Sequence, residues 1–173
     1  MDYLDSQAWI SDCGRYRYSL SRRMGTGNRE IVFCGLNPST ADAEQDDPTI
    51  RREVDYARRW GFDWYHKVNL YAFRSTNPRA LLALSDEAAI GPRNADQVNM
   101  LAGRSEIILC AWGSAKLHRG AVMIAAHLLQ MPTAHYLKLN ADGAPGHPLY
   151  LPKTLMPQRF PCAPGLLETS HGR

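Results

Sequence analysis

Polar side chains follow each of the four predicted buried strands, at the point where the strand ends. They are Asn37 and Ser39 after the first strand, Asn69 and Arg74 after the second, Trp112, Gly113 and Ser114 after the third, and His147 after the fourth. The carboxyl ends of parallel strands meet at one edge of a sheet, which is where such sheets bind ligands. Amide, hydroxyl and imidazole groups can orient a water molecule or donate to a developing anion. Each residue alone has a structural explanation as a turn or strand cap, but together they predict a binding site.

Metal and redox chemistry have no matching pattern in the sequence. The four cysteines include no CxxC pair, and no HxxE or HExxH pattern occurs. Cys34 and Cys110 lie in the apolar runs IVFC and IILC, which predicts buried thiols in a reducing compartment. We therefore predict no metal and no cofactor.

The elements that would position the polar residues alternate between strand and helix. Strand patterns cover 30–37, 65–73, 106–113 and 135–140, and helix patterns cover 46–61, 78–84, 92–103 and 118–131. A further strand at 15–23 and a Gly-rich turn at 25–28 predict an N-terminal β-hairpin with 30–37. This order is typical of an α/β fold with three αβα layers and a mainly parallel, four-stranded core sheet.

Length, composition and charge set the broad class of the protein. The 173 residues are the size of one domain, with 45% apolar and 21% charged residues, as in ordinary globular proteins. No apolar run approaches the roughly 18 residues of a membrane span, and the acidic, polar start MDYLDSQAW does not resemble a targeting segment. We expect a cytoplasmic protein without a membrane partner. The net charge of +3 is compatible with a nucleic-acid partner and equally with an ordinary solvated surface.

Between about residues 30 and 152, the chain resembles the uracil-DNA glycosylase superfamily. Its four matching segments, in the family's order, are GLNPS at 35–39, KVNLYAF at 67–73, CAWGSAK at 110–116 and GHPLYL at 146–151. The first is similar to the motif written GQDPY or GINPG, and the last to HPSPLS. Within the superfamily the chain is similar to a branch of uncertain function that shares GLNPSTAD and DDPTIRR. The resemblance implies a uracil-DNA glycosylase-like fold and a monofunctional DNA glycosylase that acts on double-stranded DNA as a monomer.

The resemblance assigns the catalytic roles to Asn37 and His147. Asn37 stands where the family places its water-positioning Asp or Asn, and His147 stands where a histidine donates to O2 of the base in its neutral form. An amide orients water but is a poor base. Asp42, Asp46 and Asp47 are therefore alternatives as the base, although the last two could instead be helix N-terminal charges.

The resemblance also predicts which base is bound. Asn69 would read the Watson–Crick edge of a flipped-out pyrimidine, and its two amide orientations suit uracil and cytosine respectively. Ser39 replaces the bulky tyrosine that excludes a C5 substituent in uracil-specific members. A polar substituent could then bond Ser39, Asp42 or Arg74. The expected substrate is a C5-modified pyrimidine, such as glucosylated hydroxymethylcytosine of phage DNA, in antiphage defence or in repair.

Leu149, Tyr150 and Leu151 follow His147 and are predicted to form a wedge that enters the base stack, unless they only close the domain. Neither Lys67 nor Lys153 is placed by the motifs as a Schiff-base nucleophile, which favours hydrolysis.

Two other functions stay open at this point. One is an N-glycosidase for nucleosides, nucleotides or RNA bases, and the other is a non-catalytic module that binds modified bases.

Overall fold

The computed structural model describes residues 2–161 of the chain. Within this range, seven strands form one mixed sheet: β1 (Asp5–Ile10), β2 (Arg17–Arg23), β3 (Glu30–Gly35), β4 (Trp64–Asn69), β5 (Ile107–Cys110), β6 (Ala134–Tyr136) and β7 (Gln158–Arg159). Four α-helices accompany them: α1 (Pro48–Arg59), α2 (Asp86–Ile90), α3 (Asn94–Arg104) and α4 (Arg119–Gln130). Two 3₁₀ turns lie at Pro78–Ala83 and Pro148–Tyr150.

The strand order is β1-β2-β4-β3-β5-β6-β7. Strands β4, β3, β5 and β6 run parallel to their neighbours in this group, while β1, β2 and β7 pair antiparallel at the two sides. The α/β class predicted from the sequence is confirmed.

Side chains alternate between the two faces of β3, as the pleat of a strand requires. Ile31 and Phe33 pack with Val54 of α1, whereas Val32 and Cys34 pack with Val98 of α3 and with residues of α4. Two apolar clusters result, one on each face of the sheet. Full burial of one such side chain contributes about 1.5–3 kcal/mol, so these clusters fix which face each strand residue occupies.

The predicted pairing of 15–23 with 30–37 is wrong. The observed hairpin joins β1 to β2, and β4 lies between β2 and β3 in the sheet. The Gly-rich segment 25–28 does not form a tight turn, because Asp63, which precedes β4, binds it through hydrogen bonds. The Asp63 carboxylate accepts from the amides of Gly27 at 3.0 Å and Arg29 at 3.1 Å.

Other boundaries differ more modestly from the prediction. β4 ends at Asn69 rather than at 73, the segment predicted helical at 78–84 is a 3₁₀ turn, and β1, α2 and β7 were not predicted. Cys34 and Cys110 are buried free thiols, as expected, and Cys162 lies outside the described residues. The longest helices of the described range have 12 residues, and none of its helices is long and apolar enough to cross a membrane.

The register of the central strands determines which residues meet at the edge. Gly35 of β3 is the partner of Asn69 of β4, and Cys34 of β3 is the partner of Cys110 of β5. All three strands therefore end at nearly the same level. The segments that follow them come together at the carboxyl edge of the sheet.

Candidate functional site at the carboxyl edge of the sheet

A cavity of about 200 Å³ opens at this edge. Asn37, Ser39, Asn69 and His147 all line it, so the structure brings four of the predicted site residues together. Its volume is below the roughly 300–1,000 Å³ of sites for drug-sized ligands, so it suits a small ligand such as a single ring. The chemical roles given to these residues stay predictions.

Asn69 is the most unusual residue of the cavity. The residue is 1% exposed, and no other group of residues 2–161 forms a hydrogen bond with its Oδ1 or its Nδ2. A buried polar group without a partner costs about 1–3 kcal/mol, so such groups are rare unless a ligand satisfies them. The amide offers one acceptor and two donor hydrogens, which matches the mixed donor and acceptor edge of a pyrimidine.

Gly35 makes the close approach around Asn69 possible. A Cβ atom at this position would lie 2.9 Å from Asn69 Oδ1 and 2.6 Å from Lys67 Nζ. Both distances are shorter than van der Waals contact, so any larger residue would displace the two side chains. A glycine therefore stands at position 35 of the GLNPS segment because the side chains of Lys67 and Asn69 on β4 occupy the space that a larger residue would need.

Asn37 has a fixed amide orientation. Its Nδ2 donates to the carbonyl of Ser75 at 2.8 Å and to that of Pro38 at 3.0 Å. Both donor hydrogens are therefore used, and Oδ1 accepts no hydrogen bond from the described part of the chain. The oxygen is left to accept from a water molecule or a ligand.

His147 is held as a donor into the cavity. The Leu149 amide donates to His147 Nδ1 at 3.4 Å, which leaves the proton of the neutral ring on Nε2. Burial lowers the pKa of His147 below its ordinary value of 6.5, and the nearby charge of Lys67 lowers the pKa further. The ring is therefore neutral near pH 7, with an Nε2–H group to donate.

Lys67 also lines the cavity, which the sequence analysis did not anticipate. Its Nζ lies 2.7 Å from Glu53 Oε1, and the Tyr65 hydroxyl donates to Glu53 Oε2 at 2.6 Å. An ammonium paired with a buried carboxylate is a poor nucleophile, since it must first lose its proton. The signal for Lys67 was its spacing from Asn69, because residues i and i+2 of a strand share one face.

The three candidate aspartates have separate environments. Asp42 does not line the cavity, and its carboxylate accepts from the amides of Glu44 and Gln45, both at 2.9 Å, which lowers the pKa of Asp42. Asp46 pairs with the buried Arg22 at 2.8 Å. Asp47 caps α1 by accepting from the Ile50 amide at 2.9 Å, as the helix-charge alternative implied, and it also lines the cavity. Asp47 therefore remains as a possible base, and the base-binding role predicted for Asp42 has no support in its position.

Arg74 lies beside the cavity rather than in it. It lines a more open groove of about 390 Å³, together with Arg15 and Thr40. This groove shares Ser39, Ser75 and Thr76 with the cavity. Ser39 therefore stands at the boundary between the two spaces.

The predicted wedge residues do not form one exposed group. Tyr150 is 83% exposed, and its ring lies 5.8 Å from that of His147. Leu149 is half-buried against the start of α1, and Leu151 packs on the apolar cluster below α1. The structure leaves Tyr150 as the exposed candidate for a wedge and places Leu151 in the closing role.

Two further side chains line the cavity. Trp112, one of the residues predicted to follow the third buried strand, is buried and offers an aromatic wall. Arg17 was not among the predicted site residues. Arg17 is buried with Nη1 donating to the Ala41 carbonyl at 2.7 Å, while its Nε has no partner among the described residues. Hydrogen-bonding groups and an aromatic face thus make up the site. Residues 2–161 contain no cluster of three His, Cys, Asp or Glu side chains that could hold a metal ion.

Comparison with known proteins gives a family. The family described as "Protein of unknown function (DUF1643)" matches residues 17–149, which run from the start of β2 into the 3₁₀ turn after His147. The matched range contains Asn37, Asn69 and His147. No curated protein and no solved structure matches the chain.

Proposed function

We propose a function from the site itself, because the chain belongs to DUF1643, a family of proteins of unknown function. The proposal is a monofunctional DNA glycosylase that extrudes a pyrimidine nucleotide and hydrolyses its N-glycosidic bond, leaving an abasic site. The observation that carries it is Asn69, which is buried in a cavity sized for one ring and has no hydrogen-bond partner within the described range 2–161. A flipped base would satisfy both sides of that amide.

The groups around Asn69 match the demands of this reaction. Breaking the bond from C1′ to the base builds positive charge on the sugar and negative charge on the base. Asn37 Oδ1 accepts from the attacking water and orients it, while His147 Nε2–H donates to O2 of the departing base. The lowered pKa of His147 keeps this donor neutral at neutral pH.

A uracil-DNA glycosylase-like fold, action as a monomer and a cytoplasmic location are part of the proposal. Support for the fold comes from where the four segments lie. GLNPS begins at the last residue of β3, KVNLYAF covers the end of β4, CAWGSAK begins at the last residue of β5, and GHPLYL follows β6. The segments that resemble the superfamily therefore converge on one edge of the sheet.

The preferred substrate in this proposal is a pyrimidine with a polar group on C5. Ser39 borders both the cavity and the groove, so it leaves an opening where a tyrosine would form a wall. Arg15, Thr40 and Arg74 line the groove beyond it and offer hydrogen bonds to a hydroxymethyl or sugar substituent. Arg74 could alternatively bind a flanking phosphate. An Arg74→Ala variant separates these roles, since only a substituent contact weakens binding of modified DNA more than binding of unmodified DNA.

The catalytic assignment is tested by a matched pair of variants. Asn37→Ala removes the oxygen that orients water and should lower the rate of abasic-site formation about 10²-fold. Asp47→Asn keeps a good helix cap but removes the carboxylate, so it should lower the rate less than tenfold. Single-turnover cleavage of end-labelled duplexes measures both rates. A larger loss for Asp47→Asn would transfer the water-activating role to Asp47.

The other functions are separated by substrate form. The proposal expects base release from duplex DNA and none from free nucleosides, nucleotides or RNA. Release from a free nucleoside, a nucleotide or RNA without release from DNA would favour the N-glycosidase alternative. Tight binding of a modified duplex without any turnover would favour the binding module.

A further inference from the structure

Lys67 holds unused donor capacity inside the cavity. The residue is 4% exposed, and its ammonium has three N–H bonds. One of them points at Glu53 Oε1, at 2.7 Å, and the described residues provide no hydrogen-bond acceptor for the other two. A buried ammonium in a cavity wall with free donors is suited to an electron-rich group of a ligand.

The position of Lys67 relative to the base-reading group is equally specific. The side chains of Lys67 and Asn69 both approach Gly35, which has no Cβ atom. A Cβ placed on Gly35 would lie 2.6 Å from Lys67 Nζ and 2.9 Å from Asn69 Oδ1. His147 lines the same cavity, and the charge of Lys67 lowers the pKa of His147. Lys67, Asn69 and His147 are therefore all walls of one cavity of about 200 Å³.

We infer that Lys67 is a further catalytic residue, which donates a hydrogen bond to the base as it leaves; this inference rests on the proposed glycosylase function. The bond between C1′ and the base nitrogen breaks with both electrons going to the base. The oxygen of water forms the new bond to C1′, and the proton lost by that water balances the proton gained by the base from solvent. Lys67 keeps its own proton and acts by charge and hydrogen bonding, which are strong in a water-poor site.

Glu53 and Tyr65 are the positioning residues for Lys67. Glu53 is fully buried on α1. One of its carboxylate oxygens accepts a hydrogen bond from Lys67 Nζ, and the other accepts one from the Tyr65 hydroxyl. The carboxylate compensates the buried charge and holds Nζ at the cavity wall.

The test uses the acidity of the leaving base. Two pairs of bases of similar size are placed in the same duplex: uracil with 5-fluorouracil, and 5-hydroxymethylcytosine with 5-formylcytosine. The second base of each pair carries an electron-withdrawing group that stabilises its anion, so it needs less help from the enzyme. Single-turnover release rates are measured for the wild type, for Lys67→Met and for Lys67→Arg, which keeps the charge.

If Lys67 stabilises the anion, Lys67→Met should lower the release rate of the first base of a pair about 10²-fold. The factor by which it lowers the release rate of the second base should be at least about five times smaller. Lys67→Arg should recover part of the rate on the first base. An equal loss on both bases of a pair would show a merely structural role and overturn the inference, while the proposed function would stand. No release by the wild type from any of the four duplexes would contradict the proposed function and the inference with it.

The variant Lys67→Met leaves the Glu53 carboxylate buried without its cation, so its folding is checked by circular dichroism. If the single variant is unfolded, the double variant Lys67→Met/Glu53→Gln replaces it in the same assay, because an amide oxygen can still accept from Tyr65. The same difference between the two bases of a pair is expected for the double variant, and equal losses would again reject the inference.

Discussion

His66 and Asn69 lie three residues apart on β4 and are both 1% exposed, yet their surroundings differ in kind. His66 faces the α3 side of the sheet, where Nδ1 is 2.8 Å from the Ser21 hydroxyl and Nε2 is 3.2 Å from the Glu30 carboxylate. Asn69 faces the α1 side, where neither amide atom has a partner among residues 2–161. The fold thus supplies hydrogen-bond partners to His66, whereas the Asn69 amide is left to bind a ligand.

The two regions predict different costs of mutation. A satisfied buried group contributes to stability, and its removal leaves its former partners unpaired. A buried polar group without a partner lowers the stability of the free protein and should contribute to ligand binding instead. Variants on the α3 side should therefore affect unfolding, and variants in the cavity should affect activity.

The largest effect is expected for Asn69→Ala. Loss of the amide should lower the rate of base release about 10³-fold, on the order of 4 kcal/mol, and should leave the melting temperature unchanged or raised. Asn94→Ala is the control, since Asn94 is equally buried and its Oδ1 also has no partner among residues 2–161, but its Nδ2 donates to the carbonyls of Asn69 and Leu70 at 2.9 and 3.0 Å. Asn94→Ala should lower the free energy of unfolding by about 1–3 kcal/mol. A clear loss of stability in Asn69→Ala would remove the distinction between the two regions.

Ser39→Tyr should have the next largest effect. A ring at this position fills the boundary between the cavity and the groove, so release of a C5-extended base should fall about 10²-fold by overpacking. The fold should stay intact because the residue lines an open space. Release assays on matched duplexes with uracil, hydroxymethylcytosine and glucosylated hydroxymethylcytosine measure the change. If uracil is the best substrate of the wild type, or if the variant keeps its activity on the modified bases, the argument from Ser39 is wrong.

Acid should destabilise the protein through His66. Burial lowers the pKa of His66 from 6.5 to about 4, and this effect outweighs the attraction of Glu30, which already pairs with Arg104 at 2.8 Å. The unfolded chain takes up a proton near pH 6.5 that the folded chain excludes until about pH 4. The free energy of unfolding should therefore fall between pH 7 and pH 4, by on the order of 2–3 kcal/mol from this residue.

Chemical denaturation at several pH values measures this loss, and His147, whose pKa is also lowered, acts in the same direction. His66→Gln is the control, since it cannot titrate and should flatten the pH dependence. A variant whose pH dependence equals that of the wild type would contradict the assignment to His66.

The smallest of these effects is expected for Tyr150→Ala. Tyr150 is exposed beside His147, so its removal should leave stability unchanged and weaken productive binding of duplex DNA about tenfold by loss of the wedge. Leu149 lies on the α1 side of the same turn, so Leu149→Ala should weaken DNA binding less than Tyr150→Ala does. Fluorescence of 2-aminopurine opposite the target base reports extrusion. Equal extrusion by the wild type and Tyr150→Ala would leave the tyrosine without a role in base flipping.

The sequence predicted most of the parallel region, because buried strands and amphipathic helices leave clear periodic patterns. It misassigned the hairpin because the decisive contact, Asp63 with the amides of Gly27 and Arg29, joins segments more than thirty residues apart. The pairing of Lys67 with Glu53, 14 residues apart, was hidden for another reason, because it depends on how α1 packs over β4.

The candidate site was predictable as a set of strand ends but not in its details. Asn37, Asn69 and His147 follow from position alone, since the carboxyl ends of parallel strands share one edge. Sequence could not show that Asp42 uses its carboxylate on its own turn or that Leu151 packs inward, because both outcomes depend on local backbone geometry.

Mass spectrometry of bases released from duplex DNA by the wild type and by Asn69→Ala shows whether Asn69 binds a base that the protein excises. The duplexes carry cytosine, uracil, hydroxymethylcytosine or glucosylated hydroxymethylcytosine at one position, and a folded Asn94→Ala protein is run beside them. We expect the wild type to release a free pyrimidine base, with a C5-modified base preferred, and Asn69→Ala to lose this release while it remains as stable as the wild type. Absence of any released base from the wild type, or full activity of Asn69→Ala, would contradict this expectation.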